Sequence, residues 1–260
     1  MVNPPKIGIF DSGIGGLSVL HEIHRLLPNY PTIYIADQAN LPYGPRPIAE
    51  IQAFSDRITR FLIEQGAVVI VIACNTASAA SLEYLRAKYP TMPFVGMEPA
   101  IKPALEASKT GVVGVLSTRA TAEGSLYKRL LERYAEDKRV ITQVAPDLVR
   151  IAEEQSQDTF ASRNIIKNYV CPIIDAGADH IVLACTHFPF LADAIQEVAG
   201  QTIQLVDPSP AVARQTARLW PADLSTQSIP NAYFTSGDTN SFQHSLKTLI
   251  GVEASTSQFL

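Results

Sequence analysis

The chain has 260 residues, more than one domain of roughly 150 residues and less than two, which is enough for a well-buried core. Hydrophobic residues at 47% and charged residues at 18%, with 14 Gly and 18 Pro, exclude disorder, collagen-like repeats and low-complexity chains. The 21 Lys and Arg against 25 Asp and Glu give a net charge of -4 without a long basic run. That balance argues against nucleic acid or an anionic membrane as partner, because phosphate groups are held mainly by clustered Lys and Arg.

The first residues run from Met1 through Pro4-Pro5-Lys6 directly into Ile7-Gly8-Ile9-Phe10, without the basic and apolar regions of a secretory signal, so a cytoplasmic chain is expected. Short apolar runs predict strands over residues 6–10, 32–36, 67–73, 94–97, 112–116, 139–144, 180–184 and 203–206. Residues 67–74 form the longest clean apolar run, far short of the roughly 20 residues that cross a bilayer. Helical spacing fills the intervals at 15–27, 48–65, 77–88, 121–134, 163–176 and 189–198. Strands apolar on both faces and separated by helices predict an α/β fold with parallel sheets covered on both sides. After Pro208 come a helical stretch at 211–219, a short strand at 232–235, the turn Ser236-Gly237-Asp238 and a last helix.

The chain also resembles itself. Gly8-Ile9-Phe10-Asp11-Ser12 matches Gly114-Val115-Leu116-Ser117-Thr118, and the strand ending in Ala73-Cys74-Asn75-Thr76 matches the one ending in Leu183-Ala184-Cys185-Thr186. Either the chain holds a duplicated unit, or two pairs of buried strands are alike because apolar strands are common. Duplication predicts a boundary near Glu98-Pro99, with a first domain of residues 1–98 plus 208–260 and a second of 99–207. The tail is too small to fold well alone and is expected to complete the first domain.

In an open parallel sheet, ligands bind outside the carboxyl ends of the strands. Four polar clusters fall at such ends: Asp11-Ser12-Gly13, residues 37–44, Cys74-Asn75-Thr76 and Cys185-Thr186-His187. Asp11 and Ser12 could simply cap the following helix. Gly13, Gly15 and Gly16 do not form a dinucleotide fingerprint, since Ser18 stands where the last glycine is needed, and there is no Walker loop. The three cysteines, Cys74, Cys171 and Cys185, are an odd number without an export signal, so free thiols are expected. A lone cysteine after a strand is ordinarily a small buried hydrophobe, and Cys171, inside a helical pattern before Pro172, keeps that reading. The five histidines are scattered, which leaves too few closely spaced ligands for zinc. A thiol nucleophile would leave the second matched cysteine unexplained. Two matched thiols suit removal of a proton from one face of a carbon and delivery of another to the opposite face, as inversion of a stereocentre requires.

At these residues the sequence resembles the cofactor-independent glutamate racemases. The similarity runs through residues 8–16, Ala36-Asp37 with Pro42-Tyr43-Gly44, 73–77, 96–100, Ala184-Cys185-Thr186-His187 and Thr235-Ser236-Gly237-Asp238. Related aspartate racemases differ at the first turn and after the cysteines, which favours glutamate; Phe188 stands where many relatives carry Tyr. The resemblance implies two pseudo-symmetric α/β domains with the active site in the cleft between them, often in a homodimer, with no cofactor and no metal. It implies Cys74 and Cys185 as catalytic base and acid, Asp11 assisting Cys74, and His187 with Glu153 assisting Cys185. Substrate contacts are implied for Asp11, Ser12, Tyr43, Gly44, Asn75, Thr76, Thr118, Thr121, Thr186 and His187, with D-glutamate supplying peptidoglycan synthesis. A non-catalytic amino-acid binder and an aspartate-specific racemase remain as alternatives.

Overall fold

A computed structural model describes residues 3–224 and 229–259. They gather into two compact units, one running up to Met97 and resuming at Ser209, the other spanning Glu98–Pro208.

The first unit opens with β1 (Lys6–Asp11), α1 (Leu17–Leu26), β2 (Thr32–Ala36), α2 (Ile48–Glu64), β3 (Ala67–Ile72), α3 (Asn75–Lys88) and β4 (Phe94–Gly96). The second contains α4 (Ile101–Ala107), β5 (Val112–Ser117), α5 (Arg119–Glu123), α6 (Ser125–Tyr134), β6 (Arg139–Val144), α7 (Pro146–Glu153), α8 (Phe160–Asp175), β7 (His180–Ala184), α9 (Ala192–Ala199) and β8 (Gln204–Val206). The chain then rejoins the first unit with α10 (Ser209–Leu219), β9 (Ala232–Thr235), α11 (Thr239–Ile250) and β10 (Ser257–Gln258).

The sheets read β10-β9-β2-β1-β3-β4 and β6-β5-β7-β8, and every pairing is parallel. The four strands β2-β1-β3-β4 and the four strands β6-β5-β7-β8 therefore share one order, with the two cysteines following the third strand of each. The inner strands β1, β2, β3, β5 and β7 are buried on both faces, as parallel sheets require, while the edge strands β6 and β8 are partly exposed. In the first unit Phe10, Ile33, Ile35, Ile70 and Ile72 pack on α2 and α3. In the second, Leu116, Ile181 and Leu183 meet α7, α8 and α9, while Val113, Val115 and Val182 meet α4 and Tyr127 of α6. Each such aliphatic side chain contributes roughly 1.5–3 kcal/mol on leaving water.

The internal likeness extends to packing. A Cβ on Gly8 of β1 would lie 3.0 Å from Ala67 and 3.1 Å from Leu62 of α2, and one on Gly114 of β5 would lie 2.2 Å from Cγ2 of Ile173 on α8. The helices α2 and α8 are equivalents, each preceding the third strand of its sheet. In both units the central strand thus carries a glycine against which a side chain of that helix packs.

Several elements depart from the pattern read in the sequence. The helix expected over 121–134 is two, because Thr118 accepts from the Thr121 N–H to start α5 and Gly124 is extended at φ -66, ψ 147. The helix expected over 189–198 begins as a 3-10 turn, Phe188–Leu191, and becomes α9 only at Ala192. Two helices were not expected, α4 and α7; both are short, and α7 starts with Pro146 and buries Leu148, Ile151 and Ala152. Cys171 is exposed on α8 rather than buried. Among the described residues no helix is long and apolar enough to cross a membrane.

Gly114→Ala is expected to destabilise the protein by about 1–3 kcal/mol through overpacking, and the double variant with Ile173→Ala is expected to lose less than the two single losses combined. Denaturant unfolding of the single and double variants measures both; strictly additive losses would show that Ile173 is not the obstacle.

Candidate active site

All the polar clusters lie where strands end. Cys74 follows β3 and is the N-cap of α3, in an extended conformation at φ -68, ψ 122, with Sγ accepting the Ala77 N–H at 3.4 Å. Ser12, just past β1, places Oγ 3.6 Å from the same sulfur. A backbone N–H at a helix start and a hydroxyl are the donors that favour a thiolate over a thiol. Asp11 is fully buried and accepts the Gly13 N–H at 2.8 Å. It does not cap the next helix, since α1 is capped at Gly16 without a side-chain bond. Gly16 matters for another reason: a Cβ there would fall 2.6 Å from the Asp11 Cβ and 2.7 Å from the Tyr34 hydroxyl. Only glycine lets the α1 turn close over the carboxylate.

The loop after β2 carries Tyr43, whose hydroxyl donates to Asp37 Oδ2 at 2.6 Å. Burial first, then the negative charge of Asp37, hold the phenol far above its ordinary range, and Cys74 and Asp11 add to the same effect. Tyr43 is therefore a neutral hydrogen-bond donor at every working pH. Gly44 beside it is half-buried. Asn75 and Thr76 open α3 and are both buried. The Asn75 amide is only 3% exposed yet neither its Nδ2 nor its Oδ1 has a partner, an uncommon condition that asks for a ligand or another reason.

In the second unit Cys185 leaves β7 and turns through Thr186 and His187 into the 3-10 turn. His187 Nδ1 lies 3.6 Å from Cys185 Sγ, and Nε2 lies 2.7 Å from Glu153 Oε1 at the end of α7. Burial alone would lower the pKa of this histidine, but the bonds to Cys185 and Glu153 outweigh it and raise the ring well above 6.5. The imidazolium form donates from both nitrogens, so the arrangement pairs a cation with the sulfur on one side and a carboxylate on the other. Thr118 Oγ1 donates to Thr121 Oγ1 at 3.0 Å, and Thr121 and Thr186 are buried.

Thus Ser12 and Cys74 come together in one unit, and Glu153, His187 and Cys185 in the other. Sequence reasoning missed the Ala77 N–H, since a backbone donor leaves no residue signal; it missed Arg57 beside Asp37, and it singled out the Ser236 turn without seeing that it meets Asp37 across the chain. Among the described residues no group of three or more His, Cys, Asp or Glu is arranged to hold a metal ion.

Known proteins resemble this chain along most of its length. The family model described as Asp/Glu/Hydantoin racemase matches residues 7–216. Glutamate racemase from Herpetosiphon aurantiacus is 48% identical over 240 residues, 91% of this chain and 94% of its own length. That from Ectopseudomonas mendocina is 43% identical over 256 residues, 97% of each chain. Among solved structures, a glutamate racemase isoform from Bacillus anthracis superposes with a TM-score of 0.89 at 30% identity, covering 98% of this chain and 97% of that one. The Escherichia coli glutamate racemase, crystallised with L-glutamate and an activator, UDP-MurNAc-ala, gives 0.86 at 33% identity over 98% and 97%. The chain belongs to the Asp/Glu racemase family of isomerases and, within it, to the glutamate racemases.

A histidine raised in the folded state contributes stability that is full below its unfolded value near 6.5 and is lost as pH climbs through the folded value. NMR titration of the full chain should find the His187 ring titrating above 6.5, and Glu153→Gln should bring it down. A ring that titrates at or below that value in the parent protein would remove the imidazolium from the site.

Proposed function

We propose that the chain interconverts L- and D-glutamate without a cofactor, using Cys74 and Cys185 as the two acid–base groups on opposite faces of the α-carbon. The observation that carries this reading is the matched placement of the thiols, each just past the third strand of the four-strand order that the two sheets share, each with hydrogen-bonding partners of its own. One cysteine could be a packing residue; two in the same topological position, both provided with partners for sulfur, are better explained by a shared task.

Starting from L-glutamate, the Cys185 thiolate takes the α-proton: the C–H bond breaks, an S–H bond forms, and the electron pair spreads into the α-carboxylate. The Cys74 thiol then delivers its proton to the other face and is left as thiolate. D-glutamate follows the reverse path, with Cys74 as base. His187, held by Glu153, is the charge partner of the Cys185 thiolate, and Asp11 serves Cys74.

The developing carboxylate charge calls for several donors, each worth roughly 3 kcal/mol in a dry site. Ser12, Gly44, Asn75, Thr76, Thr118, Thr121, Thr186 and His187 are the proposed contacts, with Asp11 and with Tyr43, whose hydroxyl proton is committed to Asp37 and whose oxygen is left to accept from the substrate ammonium. The unpartnered amide of Asn75 is the most direct support among them, because bound substrate would supply what it lacks. We further assign the D-glutamate to peptidoglycan synthesis in the cytoplasm, and a homodimer as the active form.

The reaction run in deuterium oxide tests the two-base step. Newly formed enantiomer should carry deuterium at the α-position while recovered substrate stays largely unlabelled at early times; equal early labelling of both would point to a single exchanging base. Cys74→Ala and Cys185→Ala should each abolish racemisation measured by polarimetry, and substantial activity in either variant would overturn the assignment. Binding heat from glutamate without any change of rotation would identify a binder, and faster turnover of aspartate would identify the other specificity.

A further inference from the structure

The segment Thr235-Ser236-Gly237-Asp238 takes no part in proton transfer, yet it is bound closely to the loop that follows β2. Ser236 Oγ donates to Asp37 Oδ1 at 2.8 Å and accepts the Ala39 N–H at 3.0 Å. Thr235 Oγ1 donates to Gln38 Oε1 at 2.7 Å. A Cβ on Gly237 would lie 2.8 Å from that of Gln38, so the approach itself requires glycine. Asp37 is wholly buried. Around it stand the Asn40 amide at 3.0 Å, an Arg57 guanidinium nitrogen at 3.6 Å and the Tyr43 hydroxyl at 2.6 Å.

Arg57 is in turn fixed from the chain end. Its guanidinium lies over the ring of Phe259, 5.2 Å from the centroid. Phe259 is 3% exposed, its N–H donates to the Thr235 carbonyl at 2.7 Å, and its ring meets Phe61 edge-on at 5.3 Å. The strand β10 immediately before it extends the sheet beside β9.

A buried carboxylate is costly unless fully hydrogen-bonded. If the Tyr43 hydroxyl only needed an acceptor, a backbone carbonyl would do at less cost. What a carboxylate with four partners adds is direction: its two oxygens are pinned by Ser236, Asn40 and Arg57, so the phenol commits its single proton to one fixed oxygen and its own oxygen is held in one place as an acceptor. We infer that Ser236, and Phe259 acting through Arg57, are positioning residues that aim Tyr43 at the substrate by fixing the Asp37 carboxylate. This rests on the reading above that Tyr43 is a substrate contact.

The test is a double-mutant cycle on the full chain, with racemisation followed in both directions by circular dichroism. Ser236→Ala should raise KM roughly ten-fold, the scale of one hydrogen bond to a charged acceptor, with kcat less affected. In a Tyr43→Phe background the same change should add nothing, since the group it aims is gone. Phe259→Leu, which keeps the apolar bulk and removes the ring face, should shift KM in the same direction with a smaller size. Thermal melts of all variants accompany the kinetics, and a structural role alone would lower the melting temperature without the KM shift or its loss in the Tyr43→Phe background. A Ser236→Ala enzyme with parental KM, or one whose effect persists in full beside Tyr43→Phe, overturns the positioning role while leaving the Tyr43 contact standing. Parental KM in Tyr43→Phe alone removes the contact itself and overturns both.

Discussion

Everything at the site depends on where a parallel strand stops. Inside the sheet, each backbone N–H and C=O is committed to a neighbour and each side chain is buried, so reactive groups have no room there. At the carboxyl end the chain turns toward a helix, and the first residues after the strand face free backbone donors instead of sheet partners. Cys74 takes that position after β3 and Cys185 after β7. Because all strands of each sheet run parallel, the ends of β1 and β2 deliver Asp11, Ser12 and the Tyr43 loop to the edge that carries Cys74. The ends of β5 and β6 likewise deliver Thr118 and α7 to the edge that carries Cys185.

The two thiols have unlike helpers. Cys74 is held by a hydroxyl and a backbone N–H, neutral groups that respond to a sulfur charge without carrying one. Cys185 faces a histidine ring backed by a carboxylate, and these two bonds raise the ring's pKa. The difference follows from single residues at matched places: Asp11 ends β1 where Ser117 ends β5, and Thr76 stands two residues after Cys74 where His187 stands two after Cys185. On a common strand order, these differences place an acidic side chain near one thiol and a histidine beside the other. Under the proposed two-thiol reaction each face of the α-carbon needs its own acid–base group, and nothing requires their surroundings to match.

Much of this was readable in the chain, for identifiable reasons. The strands of both sheets announce themselves because burial on two faces demands uninterrupted apolar runs, as in Ala67–Ile72. The cysteines stood out only as a pair, through the similar strands before them. Short helices such as Ile101–Ala107 passed unseen because seven residues hold barely two turns of periodicity. The break at Gly124 depends on one extended residue. The partners of Asp37 were out of reach for another reason: Ser236 is 199 residues away in sequence, and only the pairing of β9 with β2 brings it near. No local pattern encodes a contact made through the register of two distant strands.

That pairing also accounts for the unequal size of the sheets. In each unit the strand on the far side of the central one, β2 or β6, ends in a segment that serves the site. After β6 the segment is α7, which holds itself by its own hydrogen bonds and by burying Leu148, Ile151 and Ala152, so Glu153 arrives on a rigid support. After β2 the segment is an irregular loop with only a 3-10 turn, Gln38–Asn40, and none of that turn is buried. Tyr43 itself is buried in the core beside Phe54, but the unburied turn before it has little packing of its own to offset its conformational entropy. The added strands β9 and β10 lie at just that edge, and the turn after β9 bonds to the loop at Asp37, Gln38 and Ala39. The second unit needs no such addition, since a helix already does there what the returning tail does here.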